Sequence, residues 1–136
     1  MAAGAVIGID PGEKRIGVAI AGKGMGLAVP LTVVETVGGD AVKQIVDIIE
    51  LHGVSQIVVG LPKNMDATEG GSAERARAFA QELVQATNLP VALIDERLTT
   101  VGAAKALRSS EGRKAKGALD QLAATFILQS YLDAQR

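Results

Sequence analysis

Three carboxylates beside apolar segments are the residues of this sequence best suited to chemistry. Asp10 ends one apolar run, and Asp95 and Glu96 end another. Asp120 begins the apolar stripe of a predicted helix, which continues through Ala123, Ala124, Ile127, Leu128 and Tyr131. An unpaired buried charge costs on the order of several kcal/mol, so such carboxylates are usually paired or bound to a metal. Three of them from distant segments predict an all-oxygen site for a divalent cation.

Each carboxylate also has a purely structural interpretation. Asp10 opens an Asp-Pro-Gly turn, and Glu96 could form an ion pair with Arg97 at a strand end. Asp120 could cap a helix that begins late, because Gly117 weakens the start of that helix. The three structural interpretations together are less plausible than each alone, since all three carboxylates are predicted at one edge of the same sheet.

The sequence offers no other catalytic group. It contains no cysteine, which excludes thiolate chemistry and thiolate zinc sites. The single histidine, His52, falls at a predicted helix end away from the carboxylates, and no serine has a histidine partner in view. Metal-assisted hydrolysis by carboxylates is therefore the favoured chemistry.

The elements that must position these residues follow from hydrophobic periodicity and turn signals. Strands are predicted at 5–10, 15–20, 27–35, 55–60 and 91–94. Helices are predicted after the caps Asp40 and Ser72, then at 100–107 and 117–133, with a polar loop at 109–116.

A meander followed by alternating helices and strands predicts an α/β fold with a mixed sheet. Strands 1, 4 and 5 should be parallel, so their carboxyl ends share one edge, where open α/β sheets bind ligands. We expect a single domain over residues 1–136.

Composition limits the possible partners. Hydrophobic residues make up 48% of the chain, but no run is long enough to span a membrane, and the lack of cysteine fits a cytoplasmic protein. The net charge of −1 argues against bulk electrostatic binding of nucleic acid. Five basic residues nevertheless cluster between Lys105 and Lys116, as either a solvated loop or a phosphate-binding segment.

Four motifs resemble those of the YqgF/RuvX family of RNase H-like nucleases. Residues 9–19 (Ile-Asp-Pro-Gly-Glu-Lys-Arg-Ile-Gly-Val-Ala) resemble its first motif, and residues 58–66 resemble its second. Residues 95–100 (Asp-Glu-Arg-Leu-Thr-Thr) resemble the third, and residues 120–132 resemble the last. The motifs occur in order over nearly the whole chain, which makes the resemblance specific.

The resemblance implies an RNase H-like fold, with a mixed five-stranded sheet in the order 3-2-1-4-5 flanked by helices. It also implies a nuclease that uses Mg²⁺ or Mn²⁺, with two ions expected. The acidic residues of the family correspond to Asp10, Glu96 and Asp120, as catalytic residues and metal ligands. Two substrates are implied: precursor 16S ribosomal RNA, and branched DNA through the older label of Holliday junction resolvase. Of these two substrates, precursor ribosomal RNA is the preferred interpretation, and this preference rests on the resemblance alone.

The position of the second acid departs from the wider RNase H-like superfamily, which places it on the fourth strand. Here that strand ends without an acid, and Glu96 follows strand five, roughly 10 Å from strand one. The longer side chain favours Glu96 over Asp95, which would point to the opposite face. Asp95 and Glu69 stay open as replacements for Glu96.

Basic and polar side chains near the predicted edge could bind phosphates, and single-stranded DNA is a further possible ligand. The predicted nucleic-acid-binding residues are Lys14, Arg15, Asn64, Arg97, Arg113, Lys114 and Lys116. Two other function classes stay open: half of an actin-like or sugar-kinase ATPase, and an RNA-binding ribosome-assembly module without catalysis. The outward helix faces are polar, so we expect a monomer or a weak homodimer rather than the stable dimer that a resolvase needs.

Overall fold

The computed structural model describes residues 4–64, 66–98 and 113–135. The strands are β1 (Ala5–Asp10), β2 (Arg15–Ala21), β3 (Val29–Glu35), β4 (Val54–Leu61) and β5 (Val91–Asp95). The helices are α1 (Ala41–His52), α2 (Gly71–Thr87) and α3 (Arg113–Ala134). One turn of 3₁₀-helix, Glu96–Leu98, follows β5 directly.

The five strands form one mixed sheet in the order β3-β2-β1-β4-β5, as the sequence predicts. The first three strands pair antiparallel, whereas β1, β4 and β5 pair in parallel. The carboxyl ends of β1, β4 and β5 therefore share one edge of the sheet.

Alternation along β1 sends its side chains to two different cores. Ile7 and Ile9 pack with Ile45 of α1 and Leu83 of α2 on one face. Val6 packs on the other face, against the buried stripe of α3 formed by Ala123, Ala124, Ile127 and Leu128. Asp10 is in phase with Val6, so its side chain belongs to the face covered by α3.

Several element boundaries differ from the prediction. Helix α3 begins at Arg113, so residues 113–116 are helical rather than part of a loop; they contain Lys, Arg and Ala, which are strong helix formers. Helix α2 begins one residue before Ser72, and Gly70 stands at its N-cap. Asp40 does stand at the N-cap of α1, but its side chain makes no capping hydrogen bond.

The start of β3 also differs, because Gln129 of α3 holds the chain that precedes it. The Gln129 side chain donates to the carbonyl of Gly26 and accepts from the amide of Ala28, at 2.9 Å in both cases. These bonds occupy backbone groups that a longer strand would use, and β3 begins only at Val29. Gln129, which the sequence places on a solvent-facing surface, therefore has a structural role.

The predicted helix at 100–107 and residues 109–112 of the predicted loop lie outside the described residues. Within the described ranges, none of the helices has the length and apolar character required to cross a membrane.

Candidate active site

Asp10 occupies the carboxyl end of β1 and is only 3% exposed. Its register partner on β2 is Gly17. On the other side of β1, Val59 pairs with Ile9, so Gly60 of β4 follows beside Asp10. Asp10 thus lies between two strands that carry glycine at its level, so neither neighbouring strand places a side chain beside its carboxylate.

Asp120 enters the space above Gly17. A Cβ atom on Gly17 would collide with the backbone carbonyl of Asp120, and one on Gly8 would lie 2.6 Å from the Cβ of Leu128. Glycine at these two positions lets α3 pack directly on the sheet backbone. The close approach brings Asp120, which is 2% exposed, to the level of Asp10.

Glu96 reaches the same place from the other side. It follows β5 by one residue, and Gly60 of β4 pairs with Ile94 of β5. The Oε1 atom of Glu96 lies 3.0 Å from the position that a Cβ on Gly60 would occupy. The Glu96 side chain therefore crosses the end of β4 toward Asp10, and it is 5% exposed.

Asp10, Glu96 and Asp120 are the three buried charged residues among the side chains that the structure describes. Their burial agrees with the apolar patterns around them in the sequence. Asp120 lies in the second turn of α3 rather than at its start, so it does not cap this helix. Neither a turn nor a cap accounts for three buried carboxylates around one pair of glycines.

Arg15, the first residue of β2, supplies a positive charge at this site. Its Nε atom donates to Oδ2 of Asp120 at 2.8 Å. The Asp120 side chain is 3% exposed in this pair and the Arg15 side chain is 22% exposed. The ion pair offsets part of the negative charge of the three carboxylates, and this partnership was not predicted.

Asp95 and Glu69, the two alternatives to Glu96, each form an ion pair with an arginine. Asp95 accepts hydrogen bonds from the guanidinium and the backbone amide of Arg97, which lower the pKa of the Asp95 carboxyl. Glu69 accepts two 2.7 Å hydrogen bonds from Arg77, which lower the pKa of Glu69. Arg97 therefore pairs with Asp95 and not with Glu96, the partner that one interpretation of the sequence had expected. Glu96 is the acid that turns inward.

The predicted phosphate-binding residues are spread along the same edge. Lys14 is exposed on the β1–β2 hairpin, and Arg97 is partly exposed beside Asp95. The Asn64 side chain donates to the hydroxyl of Thr68 and so holds the loop after β4. Lys63 lies on this loop, 4.0 Å from Glu69, and was not singled out in the sequence.

Three further basic residues lie at the start of α3: Arg113, Lys114 and Lys116. Their side chains lie outside the described part of the structure, as do residues 105–112. The helical backbone of 113–116 precedes Asp120 by less than two turns of the same helix.

The donor set suits a hard divalent cation, since it consists of carboxylate oxygens alone. Gly17 and Gly60 add no side chains of their own beside the carboxylates, and the space over Gly60 holds the Ile127 side chain together with Oε1 of Glu96. As the described side chains stand, no three carboxylate or imidazole groups among them are arranged to hold a metal ion. Binding by all three acids therefore requires the side chains to draw together, which their mutual repulsion opposes until a cation is present.

Comparison with known proteins adds a family and a set of relatives. The model of the RuvX family, described as Holliday junction resolvase, matches residues 4–134. A candidate pre-16S rRNA nuclease of Chloroflexus aurantiacus is 43% identical over 134 residues, which cover 96% of this chain and 88% of the relative. A relative of the same name from Pelotomaculum thermopropionicum is 44% identical over 134 residues, covering 96% and 87% of the two chains.

Solved structures give an independent comparison of the fold. Thermus thermophilus RuvC in complex with a Holliday junction substrate matches with a TM-score of 0.59 at 18% identity, over 96% of this chain and 94% of that one. A second structure of T. thermophilus RuvC matches with a TM-score of 0.57 at 17% identity, over 96% and 95% of the two chains. These matches confirm the predicted RNase H-like fold.

Proposed function

This chain belongs to the RuvX family, and on that premise we propose that it is a divalent-metal-dependent nuclease that processes precursor 16S ribosomal RNA. The observation that supports the proposal is the burial of Asp10, Glu96 and Asp120 at the sheet edge that carries Gly17 and Gly60. The RNA substrate is taken from the relatives that are about as long as this chain and share that name. Action on precursor ribosomal RNA would place the protein in the cytoplasm, as one nuclease domain over residues 1–136.

The three carboxylates would act as metal ligands and catalytic residues. Asp10 is fixed by the sheet, Asp120 by the packing of α3, and Glu96 by the turn after β5. When bound, Mg²⁺ or Mn²⁺ would activate a water molecule and stabilise negative charge on the leaving oxygen of the phosphodiester, with two ions sharing these roles. Glu96, the longest of the three side chains, has the reach to adjust its position as the acids draw together.

Basic side chains on the same edge would hold the nucleic-acid backbone. Lys14 is fully available on its hairpin, and Arg97 is oriented by Asp95 with its guanidinium partly exposed. Asn64 would contribute by shaping its loop beside Lys63. Arg113, Lys114 and Lys116 would add phosphate contacts from the start of α3, and Arg15 lies at the carboxylates themselves.

A second candidate function is cleavage of four-way DNA junctions, which the description of the family favours. A resolvase makes paired cuts and so requires a two-fold dimer with two active sites. The exposed large apolar residues Met25, Leu27 and Val29 lie close together in sequence, and they are the surface such a dimer could use. The sequence did not reveal that these residues are exposed. Most outward residues of α1 and α2 are polar, and this polarity favours a monomer or weak homodimer.

The two functions are separated by testing precursor 16S RNA, mature 16S RNA and a mobile four-way DNA junction with Mg²⁺ and with Mn²⁺. We expect cleavage of the precursor in its flanking sequence, and no cleavage by Asp10→Asn. Symmetric nicking of the junction by a tight dimer that leaves the RNA intact would replace the first function by the second. Binding of RNA without cleavage under any cation would instead support the ribosome-assembly module.

A further inference from the structure

Arg15 is linked to the three buried carboxylates by one hydrogen bond from its guanidinium. The Nε atom donates to Asp120, and the Arg15 side chain makes no other hydrogen bond or ion pair within residues 4–64, 66–98 and 113–135. Arg15 and Gly17 are two residues apart on β2, so the Arg15 side chain rises on the face covered by α3. The positive charge therefore enters the site from the sheet itself, beside the carboxylate that α3 supplies.

The electrostatic situation of Asp120 requires such a charge. Burial of an ionised carboxylate near two others is unfavourable unless a cation compensates. The Arg15 guanidinium, whose Nε atom lies 2.8 Å from Oδ2 of Asp120, provides this compensation. A metal ion bound by the same carboxylates would be repelled by the guanidinium, because two positive charges a few ångströms apart interact unfavourably at any protein dielectric.

We propose that Arg15 is the internal counter-ion of this site, and that it competes with the divalent cation for Asp120. In the cation-free protein, Arg15 holds the buried Asp120 side chain through its hydrogen bond. When the cation binds, Arg15 leaves Asp120 and turns toward solvent, a movement that its partial exposure permits. This inference rests on the proposed function, because it assumes that Asp120 is a metal ligand.

Because Arg15 and the cation compete for Asp120, the substitution Arg15→Gln should lower the stability of the protein and raise its affinity for the cation. Arg15→Gln removes the counter-ion and should lower the Tm of the protein in EDTA by about 5 °C or more, since Asp120 then loses its ion pair with Arg15. The same variant should bind Mg²⁺ and Mn²⁺ on the order of tenfold more tightly, because the like-charge repulsion is gone. A residue with a merely structural role would not strengthen cation binding when it is removed.

Isothermal titration calorimetry of the full chain with MgCl₂ and MnCl₂ measures the effect on affinity. Lys43→Gln is the matched control, because it removes one positive charge from the exposed Lys43–Asp47 pair on α1. In the Asp120→Asn background, Arg15→Gln should no longer tighten cation binding, since the competition for that carboxylate is absent. Unchanged or weaker cation binding by a folded Arg15→Gln protein, with the wild type binding normally, would overturn the inference.

A second measurement uses the wild-type protein and does not depend on how the variant folds. The Nε–H signal of Arg15 in a nitrogen-correlated NMR spectrum should shift or broaden as Mg²⁺ is added, because its hydrogen bond to Asp120 is lost. An unperturbed signal at saturating Mg²⁺ would reject the displacement. Failure of the proposed function gives a different result. If Arg15→Gln binds cations more tightly and the Arg15 signal shifts with Mg²⁺, but no nucleic acid is cleaved, the counter-ion role stands and only the nuclease function is rejected.

Discussion

Gly17 and Asp120 are in direct backbone contact, although they lie on different layers of the molecule. The carbonyl of Asp120 in α3 fills the space that a side chain on Gly17 of β2 would require. Because Gly17 is also the register partner of Asp10, one glycine fixes the separation between the two acids. The distance between α3 and the sheet therefore helps to set the arrangement of the three carboxylates.

Substitution Gly17→Ala should displace the start of α3 and separate Asp120 from Asp10. We expect a stability loss of about 1–3 kcal/mol from overpacking. Cleavage should fall by on the order of 100-fold, since a shift of about 1 Å at a reacting group has that effect. Gly71→Ala is the control, because a Cβ at Gly71 meets nothing within 4 Å. Chemical denaturation and single-turnover cleavage measure both effects, and full activity of Gly17→Ala would contradict the packing argument.

Substitution Asp10→Asn should abolish cleavage while the fold is retained. The amide keeps the shape of the side chain and loses the charge that attracts a cation. Removing one of three neighbouring carboxylates should raise the Tm in EDTA by about 2–5 °C, because their mutual repulsion decreases. The stabilisation of the protein by added Mg²⁺ should shrink in parallel. Thermal unfolding with and without Mg²⁺ tests this, and a lower Tm in EDTA would show that Asp10 is stabilised by other contacts.

Neutralising Arg113, Lys114 and Lys116 to Gln should weaken nucleic-acid binding and flatten its dependence on salt. Each lost phosphate contact reduces the slope of log K against log salt by roughly 0.7–0.9, because fewer counterions are released. Fluorescence anisotropy with labelled RNA in EDTA gives the slope without cleavage. An unchanged slope would place the start of α3 outside the path of the nucleic acid.

The Glu69–Arg77 pair should make stability dependent on acid pH. Arg77 holds the pKa of Glu69 below its ordinary value of 4.5, so the pair stabilises the fold above that pH. The contribution is lost as the pH falls through the lowered pKa of the folded state. Glu69→Gln should therefore unfold about 1–2 °C below the wild type at pH 7 and together with it at pH 2.5. A Tm difference that persists at pH 2.5 would indicate a packing effect instead of the ion pair.

The sequence by itself determined most of the strands and helices and the identity of the inward acids. Asp10 and Asp120 each occupy a position where periodicity demands an apolar residue, so burial could be inferred from spacing alone. Glu96 could be preferred over Asp95 because its side chain is longer, and the structure buries Glu96. These features depend on local repeat patterns, which are visible along the chain.

The tertiary structure alone decided the partners of the charges and the spacing of the layers. Arg15 and Asp120 are 105 positions apart, and nothing in either segment indicates that they form a pair. Arg97 joins Asp95 rather than Glu96 because the turn after β5 buries Glu96 over Gly60. Ion pairs and helix–sheet distances depend on which elements meet and how closely their backbones approach. That information arises only when segments distant in sequence pack together, and no local pattern contains it.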